Sequence, residues 1–192
     1  MNLESGWSLD GIRKSLCHSD IIGLLYNQDK FVCGYSMYLL PEQKLNDHLF
    51  LWWNAVCLIP EVQNRGFGRD SYFQVLRFLP QNELGYFGGR TQNPIVMKYY
   101  AKIGHLFPFD EKYDTSEGQQ IMDFLYSYIP EVQETALLNK TTGICKQVYS
   151  EGRLGDYPEN IGKTERFETQ LKSCGFEPEK GDTVILVSKL RN

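Results

Sequence analysis

LIPEVQNRGFG, Leu58 to Gly68, is the stretch on which the reading of this chain turns. Before it, His48–Ile59 is an apolar and aromatic run rich in Trp, Phe and Val and stopped by Pro60, which reads as a central strand. After it, Tyr72, Val75, Leu76 and Leu79 recur at helical spacing. A glycine-relaxed turn between strand and helix leaves several backbone N–H groups unpaired and aims them, with the helix dipole, at one point. That point suits an anion, most of all a phosphate or pyrophosphate. The plainer reading is a glycine turn that lets the helix pack on the sheet. Two other phosphate motifs are excluded: Gly-x-x-x-x-Gly-Lys-Ser/Thr occurs nowhere, and Gly-x-Gly-x-x-Gly needs a third glycine where Ser71 stands.

Outward along the chain, Gly85–Arg90 gives a short strand, and TQNPIVMKYYAKIG follows. Asn93 is a good N-cap, Pro94 suits the first helical position, and Gly104 is expected just past the end. Val96, Tyr99, Tyr100 and Ile103 share one face of the helix so defined.

Gln63, Gly66 and Gly68 fit the Gln/Arg-x-x-Gly-x-Gly/Ala acyl-CoA loop of the GNAT superfamily of N-acetyltransferases. Asn93, Tyr100 and Gly104 reproduce a second family pattern, in which His105 replaces a phenylalanine. Two motifs in the right order make the chain resemble that family over about residues 20–110. The resemblance implies an α/β fold, a mixed and strongly twisted sheet with helices on both faces and the cofactor entering where two parallel central strands diverge. It implies one domain over 1–192: a core of about 20–110, a helical and loop insertion of about 111–175, and a last strand at 183–190.

What the resemblance implies chemically is transfer of an acyl group, acetyl by family frequency, from acetyl-CoA to a primary amine by direct attack. The backbone N–H near Leu58 would polarise the thioester oxygen. The amides of Gln63, Asn64, Arg65, Gly66, Phe67 and Gly68 would hold the coenzyme A pyrophosphate. Arg65 is either a further phosphate contact or a solvated charge. Tyr100 would protonate the leaving thiolate, its other reading being a core tyrosine. Asn93 reads as a coenzyme contact, as a cap, or as both at once. No metal is implied. The acceptor is a small-molecule or protein amine, and members often dimerise, so a homodimer is among the expectations.

The strand before the turn has no acidic residue between His48 and Pro60, so no general base is evident. By alternation, His48, Trp52 and Asn54 share a side with Leu58 if the strand is regular, which offers Asn54 or His48 to hold a water for proton removal. His48 is also readable as a surface histidine. Arg90 pairs either with an acidic group of the acceptor or with a neighbouring carboxylate; His105 has no assigned part. The family usually has a strand and two helices before the hairpin, where this chain offers a shortened N-terminus of nineteen residues. The insertion 111–175 is expected to take their place. An alternative to the enzyme is a non-catalytic acyl-CoA-binding sensor or interaction module.

Composition sets the remaining bounds. Twenty basic against twenty-four acidic residues and a pI near 5.4 give no nucleic-acid surface. Cys17, Cys33, Cys57, Cys145 and Cys174 are odd in number and lack Cys-x-x-Cys spacing, which argues for a reducing compartment and against a zinc site. With no apolar run long enough to cross a bilayer, a cytoplasmic protein without membrane partners is expected. Elsewhere the sequence predicts a helix over Ser8–Cys17, a hairpin of Ile21–Tyr26 and Phe31–Leu39, a helix before Pro130 begun at Ser116, a short one over Glu131–Leu138, an irregular loop at 139–163, a helix at Thr164–Cys174, and a strand at Thr183–Leu190 that closes the sheet.

Overall fold

The computed structural model describes residues 9–63, 65–80, 82–150, 152–154 and 164–191. Helix α1 (Leu9–Cys17) leads into the hairpin β1 (Ile21–Tyr26) and β2 (Val32–Leu39), and then into β3 (Leu49–Leu58). A 3₁₀ turn at Pro60–Val62 and Gly66 deliver the chain to α2 (Phe67–Leu76), followed by β4 (Leu84–Thr91) and α3 (Pro94–Ile103). Next come β5 (Gly104–Phe107), α4 (Ser116–Tyr128), α5 (Pro130–Gln133), β6 (Ile144–Cys145), α6 (Glu165–Ser173) and β7 (Thr183–Leu190). The expected helix start at Ser8 and residues 155–163 of the expected loop lie outside the described residues.

The main sheet runs β1-β2-β3-β4-β7-β5, with β6 also on β7. β1, β2 and β3 are antiparallel neighbours, β3 and β4 are parallel, and β7 is antiparallel to β4, β5 and β6. The sheet is thus mixed, as expected, but β7 does not close an edge. It is inserted between β4 and β5, a strand of four residues that the sequence reading left unassigned.

Alternation along the strands gives the sheet two buried faces. Leu51 and Trp53 of β3, Phe87 of β4 and Val184 and Leu186 of β7 pack with Tyr72 and Val75 of α2, Met97 and Tyr100 of α3, and Phe167 and Leu171 of α6. Phe50 and Trp52 of β3, Tyr86 of β4 and Ile185 and Val187 of β7 pack with Ile121, Met122, Phe124 and Leu125 of α4 and Ile129 and Val132 around α5. The segment 111–175 therefore covers the second face of the sheet with α4 and α5. Ile121 is fully buried in that layer, so Ile121→Val is expected to lower unfolding stability by about 0.5–1.5 kcal/mol in a urea titration, with an unchanged slope.

Candidate active site

The central parallel pair parts at a defined level. β3 and β4 are paired from Leu49–Leu84 to Trp53–Gly89 and no further, although β3 continues to Leu58 and β4 to Thr91. On its other side β3 stays paired with β2, but Met37 opposes Ala55 while Tyr38 opposes Trp53, so Asn54 is an extra residue, a β-bulge at the parting point. The bulge overturns the regular alternation assumed from sequence. Leu58 pairs with Gly34, in step with the Ser36–Val56 pair, and Ser36 bonds Ser71 of α2. Leu58 is thereby turned to the α2 face, whereas Trp52 packs on the α4 face. His48 and Trp52 do not share a side with Leu58.

Beyond the bulge, the Ile59 N–H donates to Cys33 O at 3.0 Å. In an antiparallel ladder, hydrogen-bonded and non-bonded pairs alternate, so the N–H groups of Leu58 and Val56 point away from β2 into the gap that β4 has left. The Leu58 C=O on that side accepts from Gln63 Nε2 at 2.8 Å. Gln63 is thus a brace for the bend. Its own N–H donates to Pro60 O at 3.2 Å, which removes it from the set of amides expected to meet an anion. Asn64 lies outside the described residues.

Gly66 sits at φ 86°, ψ 2°, a left-handed conformation that L side chains avoid, and no side chain caps the helix that follows. The first intrahelical bond runs from Asp70 N–H to Gly66 O, 3.0 Å, so the N–H groups of Phe67, Gly68 and Arg69 have no intrahelical acceptor. Three donors and the positive end of α2 converge there. Gly68 lies over Trp53, with the indole 3.4 Å from where a Cβ would stand. Arg65 is exposed, and Arg69 pairs with Asp70 at 2.8 Å. Hollows of about 630 Å³ and 320 Å³ flank the far part of α2 at Phe73 and Leu76, and neither touches the parting of the strands.

On the α2 face Tyr100 is buried, its ring stacked on Phe87 at 4.8 Å. Its hydroxyl lies against Gly89, the last β4 residue paired with β3, so closely that a Cβ there would collide with it. Burial, with Tyr38, Tyr99 and Tyr72 nearby, pushes the Tyr100 phenol well above its ordinary pKa, so it stays protonated at neutral pH. Asn93 caps α3 by accepting from Ile95 N–H at 2.9 Å.

The two residues considered for holding a water part company. His48 precedes β3, its ring edge-on to Tyr86, five residues and roughly 16 Å of strand before Trp53, and is not at the site. Alternation sets a face, not a position along the strand. Asn54 is at the parting point, where Nδ2 donates to His18 O at 2.7 Å and Ser19 Oγ at 2.8 Å, while Oδ1 is buried without a partner among the described residues.

A cluster not foreseen from sequence lies next to Asn54 on the α4 face. Arg90 donates from Nη1 to Glu131 O at 3.2 Å and Thr135 Oγ1 at 3.1 Å, and its Nη2 stands 3.9 Å from Glu131 Oε2. Trp52 Nε1 donates to the same Oε2 at 3.3 Å. Of the two sequence readings of Arg90, the neighbouring carboxylate holds. Burial raises Glu131 above the ordinary carboxylate range, and Arg90 and the Trp52 N–H reverse that only in part. Glu131 carried no signal beyond being an acidic residue in the first turn after Pro130.

No protein-family model matches the chain, and no curated protein matches it in sequence. Among solved structures it is similar to the IAA acetyltransferase from Bacillus cereus ATCC 14579, at 13% identity over 95% of this chain and 85% of that one, with a TM-score of 0.48. It is also similar to the GphF GNAT-like decarboxylase in complex with isobutyryl-CoA, at 14% identity over 94% and 83%, TM-score 0.40. Chaetomium thermophilum Naa20, in complex with a bisubstrate analogue, shares 15% identity over 54% of this chain and 62% of its own, TM-score 0.37. The antiparallel β1-β2-β3 unit, the parallel pair that parts and the strands beyond it form the mixed, helix-flanked sheet that the motifs imply. No described helix is long and apolar enough to cross a membrane, and among the described residues no group of His, Cys, Asp and Glu could hold a metal ion.

Proposed function

We propose that the chain is an acyl-CoA-dependent N-acyltransferase that moves an acetyl group from acetyl-CoA to a primary amine. One observation carries the reading: a parallel strand pair opens at Trp53–Gly89 beside an uncapped helix N-terminus whose Phe67, Gly68 and Arg69 amides find no acceptor among the described residues. The pyrophosphate takes those amides, with the exposed Arg65 as a further counter-charge. The pantetheine chain enters the parted strands and pairs with the outward N–H and C=O groups of β3. The Leu58 N–H receives the thioester oxygen as it gains negative charge. Asn93 is engaged as a cap, and its Nδ2 remains available to the coenzyme.

The amine nitrogen attacks the thioester carbon, the C–S bond breaks, the amine gives up one proton, and the thiolate takes one from Tyr100. Burial that keeps this phenol protonated also makes it a weaker acid, and a thiolate whose conjugate acid lies near 8.5 leaves readily without much help. Tyr100→Phe is therefore expected to lower kcat by about 10-fold, less than the usual 10²–10⁴ of acid–base catalysis, at unchanged acetyl-CoA affinity. The test is release of free thiol from acetyl-CoA across a panel of small amines and peptide N-termini, wild type beside Tyr100→Phe. Turnover by wild type supports the enzyme, coenzyme binding without turnover supports the sensor, and equal rates for the two proteins remove Tyr100 from the mechanism.

A further inference from the structure

We propose that Glu131 is the general base of this site: one oxygen of its carboxylate is anchored, and the other takes the proton that the acceptor amine loses as it attacks the thioester carbon. This rests on the acyl-transfer reading and supplies the group that reading lacks. The placement follows from the level at which β3 and β4 part. Gly89 is the last paired residue of β4 and Arg90 the next, while Asn54 is the first residue past the pairing on β3. Tyr100 meets that level from the α2 face, at Gly89. Glu131 meets it from the α4 face, held at Arg90 and Trp52. Acid and base so disposed flank a thioester lying between the strands, and the amine approaches at the parting level on Glu131's side.

The carboxylate is oriented as a base requires. Oε2 accepts from Trp52 Nε1 and faces Arg90, while Oε1 accepts no hydrogen bond from the described residues. Arg90 also fixes the helix that carries it, through the Glu131 carbonyl and Thr135, whose hydroxyl donates to the same carbonyl at 2.7 Å. Ile129 and Val132 on either side are fully buried, so the carboxylate does not swing with a mobile segment. Its raised pKa brings it nearer the range in which a carboxylate removes protons efficiently. The groups facing it are Arg90 from β4, the Trp52 N–H from β3, His18 just past α1, and Glu134 from the same helix turn, itself paired with Lys14 of α1. The Tyr149 ring lies 6.0 Å from the Arg90 guanidinium carbon. Of these His18 is the one imidazole.

In the reaction the amine lone pair forms the new C–N bond, the N–H bond breaks with its electron pair returning to nitrogen and its proton going to Glu131, and the C–S pair leaves with the thiolate, which takes the Tyr100 proton; the carboxyl then loses its proton to water while Tyr100 is reprotonated. The test is the pH dependence of kcat for wild type, Glu131→Gln, Trp52→Phe and His18→Ala, with acetyl-CoA and the amine most rapidly acetylated, and acetyl-CoA affinity by calorimetry on each protein. Wild-type kcat is expected to fall as pH drops through the carboxylate's pKa. Glu131→Gln is expected to lose at least 100-fold in kcat along with that acid limb, with acetyl-CoA affinity retained. Trp52→Phe keeps the carboxylate but removes a hydrogen bond to its charged form, so its limb is expected to move to higher pH, a change that a merely structural carboxylate would not produce. A limb that persists in Glu131→Gln and disappears in His18→Ala overturns the proposal, as does Glu131→Gln turnover within threefold of wild type. In both of those cases the acyl-transfer reading stands; failure of the wild-type protein to bind acetyl-CoA sinks that reading and this one together.

Discussion

Arg90→Met is expected to lower unfolding stability by about 3–5 kcal/mol at pH 7, the range for removing one partner of a buried ion pair. The guanidinium is 13% exposed and Glu131 14%, so neither charge is well solvated, and Arg90 is the cation that faces the carboxylate. Its loss strands a charge in an apolar layer and also unties the Glu131 carbonyl and Thr135 from β4. The sign of the pH dependence follows from Glu131. Its folded-state pKa lies above the ordinary value and rises further without Arg90, so the variant's folded state binds a proton that the unfolded chain releases at a lower pH. The penalty is therefore full above the raised pKa and shrinks as pH falls, becoming smallest below about pH 4, where the carboxyl is protonated in both states. Chemical denaturation of wild type and variant across that range measures it. A difference that stayed constant or grew toward acid would show that Glu131 is not the charge being compensated.

Gly66→Val is expected to weaken coenzyme A binding by about 100-fold or more. A β-branched residue cannot easily hold φ 86°, and even a simple L residue pays about 1–2 kcal/mol in the left-handed region. Relief of that strain turns the bend and pulls the Phe67 and Gly68 amides out of convergence. Hydrogen bonds to a charged group contribute about 1.5–3 kcal/mol each, so losing two corresponds to two or more decades in affinity. The fold should survive, because Gly66 precedes the helix and the Tyr72 and Val75 anchors of α2 are untouched. Calorimetry with coenzyme A, beside a thermal melt, separates the two effects; full affinity in a folded variant would free the bend of any part in binding.

What the sequence made legible was local. The glycine pair after a Pro-stopped strand, the Asn93–Pro94 helix start and the hairpin all write their geometry into adjacent residues, and all three are present in the fold. What it hid depends on partners far apart in the chain. β5 has four residues, too few for a period, and exists because β7, some eighty positions later, offers it an edge. Arg90 and Glu131 are forty-one positions apart, so a carboxylate beside the site read as an ordinary first-turn glutamate. The side on which Leu58 lies was misread for a different reason: one extra residue in β3 reverses every side chain after it, and nothing in LWWNAVCL announces a bulge. Tyr100 was found by motif spacing, while its place against Gly89, which bears on its proposed role, came only with the packing of α3.

The most direct test is a crystal structure of the protein grown with coenzyme A. The pyrophosphate oxygens are predicted to lie within about 3 Å of the backbone nitrogens of Phe67, Gly68 and Arg69, with the pantetheine arm between β3 and β4 and the sulfur near Gly89. A coenzyme seated in the hollows along Phe73 and Leu76, with the amides after Gly66 turned to solvent, would contradict the account.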